Sequence, residues 1–228
     1  MFKISERDKV ACMLSKRVYD DLCKNDQVIC IKHKRPKVVA IEINNEIYIV
    51  FRGTSSKDLF HNVHSNSSFT QVKDKGFLVH KGFFNLYKSC EKNLKAFIST
   101  IKNKNIVFCG ASLGAAISMV AVVHFPELKS RIRHVTFGLP PTGNSNFIKE
   151  YLKVTKKGTH FMISNDPITM MQYKKIARIF GYDIISKGVR ILNPVGIRLI
   201  HHTMNEYIQI LLGSKEIYKK MLIKNGLN

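Results

Sequence analysis

Residues 106–124 read IVFCGASLGAAISMVAVVH and contain the strongest local signal in the chain. The beginning of this stretch is β-branched and aromatic, which favours a strand over 105–109. The apolar run 113–124 is compatible with a helix that ends before Pro126. Between them lies GASLG at 110–114, so the sequence predicts a strand, a sharp turn with a serine at its apex, and a helix.

The residue types in this turn have a steric explanation. A serine exposed between a strand and a helix must adopt a positive φ, and side chains two residues before and after it would collide with each other and with neighbouring strands. Glycine at Gly110 and Gly114 removes that collision. The helix after Ser112 would direct unpaired N–H groups towards a developing oxyanion. The pattern is typical of a nucleophile elbow, although a bare GxSxG arises by chance in about a tenth of chains of this size.

Length and composition predict one domain over residues 1–228, because 228 residues with 45% apolar content suffice for a single core. The longest uncharged apolar segment, Ala115–Val123, is about half of the ~20 residues that span a bilayer, so no transmembrane helix is expected. The amino-terminal residues MFKISERDKV are charged where a signal peptide would be apolar. An intracellular, cytoplasmic location is therefore expected.

The formal charge of +21 raises the possibility of a polyanionic partner. The basic residues are mostly lysine, spread from Lys3 to Lys224 without a block, and no nucleic-acid-binding module is recognisable. AT-rich coding explains this composition more simply, so no nucleic-acid partner is predicted. Peripheral contact with an anionic lipid surface is compatible with the charge, since each basic residue near such a surface contributes about 1 kcal/mol.

The cysteines predict neither a disulfide framework nor a metal site. They are odd in number and irregularly spaced: Cys12, Cys23, Cys30, Cys90 and Cys109. All are expected to be reduced thiols, with Cys109 a small buried hydrophobe. No metal or organic cofactor is predicted.

Alternating elements along the chain predict an α/β fold. The predicted helices cover Ser5–Asp20, Gly82–Ile101, Asn146–Leu152 and a tail from Thr203; the predicted strands are a hairpin of Val38–Ile43 and Glu46–Phe51 around Asn44-Asn45, then His134–Phe137, His160–Ser164, Arg178–Ile184 and Gly188–Leu192. Strands separated by helices imply crossovers and a mostly parallel central sheet flanked by helices.

A nucleophilic serine needs a base and an orienting acid, which follow it in the order Asp or Glu, then His, in α/β-hydrolases. The histidines downstream of Ser112 are His124, His134, His160, His201 and His202. Asp166 comes directly after the strand that ends at Ser164, at the edge where such sheets place functional loops, and Pro167 prevents that strand from continuing. A turn-capping role for Asp166 stays open, and Asp183, within a predicted strand, is the competing acid.

Several segments follow one another in the order of a known family. They are FRGT at 51–54, HKGF at 80–83, GASLG at 110–114, FGLP at 137–140 with Gly143-Asn144, NDP at 165–167, GY at 181–182 with Gly188, and HTMNEY at 202–207. Through these motifs, over about Val38–Tyr207, the chain resembles the class 3 lipases, the fungal lipase-like branch of the α/β-hydrolases.

The resemblance implies an α/β-hydrolase fold and a complete set of site residues. It implies Ser112 as nucleophile, Asp166 as acid, His202 as base, and an oxyanion hole from the N–H of Leu113 with the N–H and hydroxyl of Thr54. His202 is preferred over His201 because Thr203 and Tyr207 fall at the family's offsets from it. His80 is expected to be a packed or hydrogen-bonded core histidine.

The chain departs from the family pattern in places. Ala111 replaces the usual elbow histidine, Ala115 a common glycine and Pro141 a usual arginine. The segment Ser55–Leu78 corresponds to the family's lid, but the chain has no tryptophan to anchor one. An amphipathic lid that opens at a lipid surface and an ordinary polar loop both stay open.

The sequence favours one function and leaves two alternatives. The favoured function is hydrolysis of acylglycerol esters, of the triacylglycerol lipase type, through an acyl-enzyme. A phospholipase A1 or galactolipase acting on anionic membranes would use the same triad and suit the basic charge. The third hypothesis is a catalytically silent membrane- or partner-binding protein that kept the fold.

Overall fold

The computed structural model describes residues 4–20, 22, 26–32, 35–53, 70–155, 158–164, 166, 176–179, 181–185, 188–192 and 203–227. The strands are β1 (Gln27–Lys32), β2 (Arg35–Ile43), β3 (Glu46–Phe51), β4 (Gln71–Asp74), β5 (Phe77–His80), β6 (Asn105–Ala111), β7 (Ile132–Phe137), β8 (Thr159–Ile163) and β9 (Val189–Leu192). The helices are α1 (Glu6–Tyr19), α2 (Lys81–Thr100), α3 (Leu113–Val123), α4 (Ser145–Val154), α5 (Ile176–Ile179), α6 (Met204–Leu212) and α7 (Lys215–Lys224), with a 3₁₀ turn at Pro126–Leu128.

Seven strands form the central sheet in the order β1-β2-β3-β6-β7-β8-β9. The strands from β3 through β6, β7 and β8 to β9 are parallel neighbours, whereas β2 pairs antiparallel with β3, and β1 pairs antiparallel with β2. The predicted mostly parallel sheet is therefore confirmed. Because parallel strands end at the same edge, the segments after β3, β6, β7 and β8 meet there.

Apolar side chains cover both faces of the sheet. On β6, Phe108 joins the cluster that includes residues of α2, α3 and α4, while Val107 and Cys109 join the cluster that includes residues of α1, α6 and α7. This alternation follows the period of two along a strand. Of the described helices, none is long and apolar enough to cross a membrane.

Several local predictions are confirmed. The hairpin of β2 and β3 turns at Asn44 and Asn45, whose φ values of 51° and 62° suit a tight turn between twisted strands. Ser5 caps α1 and accepts a hydrogen bond from the N–H of Asp8 at 3.2 Å. Gly82–Ile101 was predicted as a helix, and α2 occupies almost the same range.

The prediction of a strand over Arg178–Ile184 is wrong. Residues up to Ile179 form α5, and Gly181 adopts a φ of 77°, which turns the chain out of any extended conformation. The N–H of Asp183 then donates to the carbonyl of Gly143 at 2.9 Å, so this segment is fixed by a loop contact rather than by a strand ladder.

The segment Ser55–Leu78 is only partly described. Residues 54–69 lie outside the described residues, so the choice between a lid and a polar loop stays a prediction there. From Gln71 onward the chain forms the hairpin of β4 and β5, which the sequence did not predict. The buried side of this hairpin carries Phe77, which packs edge-on against Phe147 of α4 with ring centroids 5.3 Å apart.

The expectation that all cysteines are reduced is also wrong. A disulfide joins Cys30 of β1 to Cys90 of α2, with the Cα atoms 5.6 Å apart. The two cysteines are 60 residues apart, so only the packing of α2 beside β1 brings them together. Cys12 and Cys109 are free and buried, and burial raises the pKa of the Cys109 thiol to about 12, as expected for a small hydrophobe.

The disulfide is expected to stabilise the fold by restricting the unfolded chain. A loop of this length contributes about 4 kcal/mol in the chain-entropy account, so the double variant Cys30→Ser/Cys90→Ser should unfold at a temperature about 10 °C lower. Calorimetry with and without dithiothreitol measures this, and the double variant should be insensitive to the reductant. A wild-type transition that reductant leaves unchanged, without a linked Cys30 and Cys90 peptide in non-reducing mass spectrometry, contradicts the pairing.

Candidate active site

Ser112 lies at the predicted turn, between the end of β6 and the first residue of α3. Its backbone adopts φ 53° and ψ −122°, a conformation that is unusual for a residue with a side chain. Its N–H donates to the carbonyl of Phe137 at 2.9 Å, which fixes the turn to the end of β7. The predicted strand, turn and helix are therefore confirmed as backbone geometry.

The neighbouring glycines are required by close backbone contacts. A Cβ atom on Gly110 would lie 2.7 Å from the carbonyl carbon of Gly114 and 2.8 Å from the carbonyl oxygen of Phe51. A Cβ atom on Gly114 would overlap that same oxygen of Phe51, and one on Gly53 would lie 2.7 Å from the carbonyl oxygen of Ala111. Three segments thus meet at distances that exclude side chains, as the sequence predicted for Gly110 and Gly114.

The predicted oxyanion donors sit at the amino terminus of α3 and after β3. Leu113 is the first residue of α3, so its N–H belongs to the group that no carbonyl within the helix can accept. The positive end of the helix dipole is directed to the same place. Thr54 directly follows Gly53 but lies outside the described residues, so its role stays a prediction.

Asp166 is fully buried at the same edge of the sheet. It follows β8, and its N–H donates to the carbonyl of Ile163, the last residue of that strand, at 3.1 Å. Tyr207 of α6 is near it: burial raises the pKa of the Tyr207 hydroxyl well above its ordinary value, and the charge of Asp166 raises it further. The structure therefore brings the HTMNEY segment, through Tyr207, to the predicted acid.

The competing acid Asp183 has a structural role. Its carboxylate accepts a hydrogen bond from the N–H of Ile184 at 2.8 Å and lies 3.6 Å from a guanidinium nitrogen of Arg178. Both bonds hold the turn after α5, and neither involves the elbow.

Three of the histidines downstream of Ser112 are engaged in the core. His124 has Nδ1 2.8 Å from the carbonyl of Val120 and Nε2 2.9 Å from a carboxylate oxygen of Asp74. His134 and His160 are fully buried and both hydrogen-bond to the hydroxyl of Tyr151, at 2.8 and 3.1 Å. The remaining two, at positions 201 and 202, lie outside the described residues.

His80 has the core role that the sequence predicted. Its Nδ1 accepts a hydrogen bond from the N–H of Gly82 at 3.1 Å, and its ring stacks on Phe83 with centroids 4.1 Å apart. Burial lowers the pKa of the imidazole below its ordinary value, so the neutral ring that caps α2 is favoured. Among the described residues, no group of three or more His, Cys, Asp or Glu side chains could hold a metal ion.

A mostly parallel sheet with helices on both faces, and a serine at a strand-turn-helix elbow, define an α/β-hydrolase. Within that class, residues 48–175 match the family Lipase (class 3). The match covers more than half of the chain, so the protein belongs to the class 3 lipase family. The resemblance inferred from the ordered motifs is confirmed.

Comparison with solved structures supports the same fold. The lipase of Rhizomucor miehei in complex with its propeptide superposes with a TM-score of 0.60 at 20% identity, over 77% of this chain and 64% of that chain. A triacylglycerol lipase whose catalytic centre is described as a serine-protease triad superposes with a TM-score of 0.62 at 18% identity, over 77% and 76% of the two chains. At these identities the likeness establishes the fold.

One curated relative is an acyl-transferring enzyme by name. Ethanol acetyltransferase 1 of Cyberlindnera fabianii is 32% identical over 101 residues, which are 44% of this chain and 30% of the relative. The chain thus spans less than a third of that protein's length. Together with the family, this relative supports a hydrolase or an acyl-transferring enzyme.

The crowding at the elbow gives a direct test of its geometry. Gly114→Ala should cost several kcal/mol of the free energy of unfolding, since the overlap with Phe51 can be relieved only by moving α3 away from β3. Gly76→Ala is the matched control, because a Cβ there has no atom within 4 Å and meets only the strain of its φ of 87°. Urea unfolding of both variants measures the difference, and equal stabilities would contradict the close approach.

Proposed function

We propose that this protein hydrolyses carboxylic esters of acylglycerols, in the manner of a triacylglycerol lipase, with Ser112, Asp166 and His202 as its catalytic triad. The observation that carries the proposal is the strained turn at Ser112, directly before the amino terminus of α3. Strain of this kind persists where the surrounding structure enforces it, and it is concentrated at functional sites. The buried Asp166, at the same edge of the sheet, supplies a candidate acid.

The proposed reaction gives each of these residues one role. His202 removes the proton of Ser112 Oγ, and this oxygen attacks the ester carbonyl to form a tetrahedral oxyanion. The N–H of Leu113, with the N–H and hydroxyl of Thr54, stabilises that oxyanion, and each donor contributes roughly 3 to 4 kcal/mol. His202 then protonates the departing alcohol and activates the water that hydrolyses the acyl-enzyme, while Asp166 holds the imidazole in the required tautomer.

Substitution of the triad separates this proposal from a catalytically silent fold. Ser112→Ala should lower kcat for p-nitrophenyl butyrate by at least about 10³-fold and abolish labelling by a fluorophosphonate probe. Ser89→Ala is the control, because that exposed hydroxyl donates to the carbonyl of Leu86 at 2.7 Å on the surface of α2 and lies 3.8 Å from the sulfur of Cys90. Wild-type protein that neither hydrolyses the ester nor reacts with the probe would contradict the proposal that this protein is an enzyme.

The acid and the base are tested in matched pairs. His202→Ala should lower kcat as strongly as Ser112→Ala, whereas His201→Ala should retain most of the activity. Asp166→Asn should cost about 10³- to 10⁴-fold by favouring the wrong tautomer, whereas Asp183→Asn should not. A reversed result within either pair would reassign that role to the neighbouring candidate.

Specific observations favour two alternative functions. The first differs from the proposed function in the acyl donor, and the second differs in the acyl acceptor. The charge of +21 supports attraction to anionic membranes, and thus a phospholipase A1 or galactolipase. The similarity to an ethanol acetyltransferase supports transfer of the acyl group to an alcohol, in which ethanol oxygen attacks the acyl-enzyme and loses its proton to the base.

One set of assays distinguishes these possibilities. Fatty-acid release from tributyrin, triolein and phosphatidylglycerol vesicles is compared at low and high salt, and ethyl-ester formation is followed with added ethanol. A triacylglycerol lipase should prefer the first two substrates and produce mainly acid. Preference for the vesicles with loss of rate at high salt indicates the phospholipase, and ethyl ester in excess over acid indicates the transferase.

A further inference from the structure

A continuous chain of hydrogen bonds crosses the apolar layer between the sheet and helices α3 and α4. Its members are Ser118 of α3, His134 and Thr136 of β7, Tyr151 of α4 and His160 of β8, and all are fully buried. The successive distances are 2.8 Å from Ser118 Oγ to His134 Nε2, 2.8 Å from His134 Nδ1 to the Tyr151 hydroxyl, 3.1 Å from that hydroxyl to His160 Nε2, and 2.8 Å from His160 Nδ1 to Thr136 Oγ1.

The direction of this chain is assigned from its α3 end. Ser118 has one hydroxyl proton, which it donates to the carbonyl of Ala115 at 2.8 Å. The oxygen of Ser118 must therefore accept a proton from His134, whose Nε2 is the donor. In the neutral imidazole the other nitrogen is then an acceptor, so His134 Nδ1 accepts the hydroxyl proton of Tyr151.

The same reasoning continues through Tyr151 and His160 to Thr136, the last residue of the hydrogen-bond chain. Since the proton of Tyr151 is used, its oxygen accepts from His160 Nε2, and His160 Nδ1 accepts from the hydroxyl of Thr136. Both rings are then neutral, protonated at Nε2, and every nitrogen has a partner. Burial lowers the pKa of His160 to about 3, and burial followed by the proximity of His160 lowers the pKa of His134 well below its ordinary value, which agrees with neutral rings.

One end of the chain belongs to the element that carries the nucleophile. Ser118 is in α3, which begins directly after Ser112. Thr136 precedes Phe137 in β7, and the carbonyl of Phe137 accepts the N–H of Ser112 at 2.9 Å. The chain therefore holds both the helix after the elbow and the strand that fixes the elbow backbone.

Another member, His160, belongs to the strand that leads to the acid. His160 is in β8, and the chain passes from the end of this strand to Asp166, whose N–H is bonded to Ile163. The N–H of Gly138 donates to the carbonyl of Phe161 at 2.9 Å, directly after the Thr136 and His160 pair of the β7–β8 register. The hydrogen-bond chain thus joins the supports of Ser112 and Asp166.

From this connection we infer that Ser118, His134, Thr136, Tyr151 and His160 are positioning residues, which keep α3 and β8 at the separation that ester hydrolysis requires. This inference rests on the proposed function of Ser112 and Asp166. Apolar side chains could fill the same layer without needing hydrogen-bond partners, whereas a buried polar group that lacks its partner destabilises the fold by its desolvation free energy. The hydrogen bonds add geometric precision, because each bond fixes the distance and the orientation between two elements, which apolar contacts do not.

The central hydroxyl gives the sharpest test. Tyr151→Phe keeps the ring but leaves one nitrogen of each histidine without its partner. We expect kcat per folded molecule to fall about tenfold or more with KM changed less than twofold, measured well below the melting temperature with the folded fraction checked by circular dichroism. Tyr87→Phe is the control, because its fully buried ring carries a hydroxyl that bonds to Glu91, outside this chain.

Two further measurements separate positioning from stability alone. Thr136→Val, an isosteric change that removes the last bond of the chain, to His160, should lower kcat less than Tyr151→Phe does and keeps the test available if that variant fails to fold. Nitrogen-15 NMR should find both buried histidines protonated at Nε2 and untitrated between pH 7 and 5. In Tyr151→Phe at least one should begin to titrate or change tautomer.

The outcomes are distinct. A lower melting temperature for Tyr151→Phe and Thr136→Val with wild-type kcat overturns the positioning inference and leaves the proposed function intact. Wild-type protein without esterase activity or probe labelling overturns the proposed function itself. Histidine rings protonated at Nδ1, or titrating near pH 6.5, contradict the assigned direction of the chain.

Discussion

The structure depends on how closely α3 approaches the carboxyl ends of β3 and β6. The chain reverses from β6 into α3 within one residue, and the backbone of Gly114 lies against the carbonyl of Phe51 with no space for a Cβ. A helix held this close to a sheet must be apolar on nearly every side, and all residues from Gly114 to Val123 are buried. The even hydrophobicity of this stretch is thus a consequence of the elbow.

The spacing of the strands sets the distance between the candidate nucleophile and the candidate acid. One strand, β7, separates β6 from β8, so the segments after these two strands are about 10 Å apart at the sheet spacing of ~4.8 Å. An imidazole that hydrogen-bonds on both sides is suited to a gap of this size between a serine and a carboxylate. In the sequence, the segment that would supply it lies between β9 and α6, and Tyr207 of α6 is near Asp166.

Features set by neighbouring residues could be predicted from the sequence, whereas features set by distant residues could not. Gly110 and Gly114 revealed the elbow because part of the clash is local, since a Cβ atom on Gly110 would lie 2.7 Å from the carbonyl carbon of Gly114. The rest of the clash is with Phe51, which is distant in sequence. Asn44-Asn45 revealed its hairpin because a tight turn is also a local feature. The disulfide of Cys30 depends on a partner 60 residues away and on a strand, β1, that the sequence did not reveal. The strand predicted over Arg178–Ile184 is wrong for the second reason, because after α5 the N–H of Asp183 is bonded to the carbonyl of Gly143, which is distant in sequence.

The site residues also differ in how far local sequence alone could identify them. Ser112 and Asp166 lie within the matched residues 48–175, each directly after a strand, so local pattern sufficed to propose them. The proposed base, His202, lies beyond that match, and its assignment rests on the offsets of Thr203 and Tyr207 in the family resemblance. His124, His134 and His160 are each engaged by core partners, and His134 and His160 are held neutral in a chain whose donors and acceptors are all paired. A histidine committed in this way cannot accept a serine proton at the sheet edge without breaking its own bonds, so none of these three is a candidate for the base of the proposed triad.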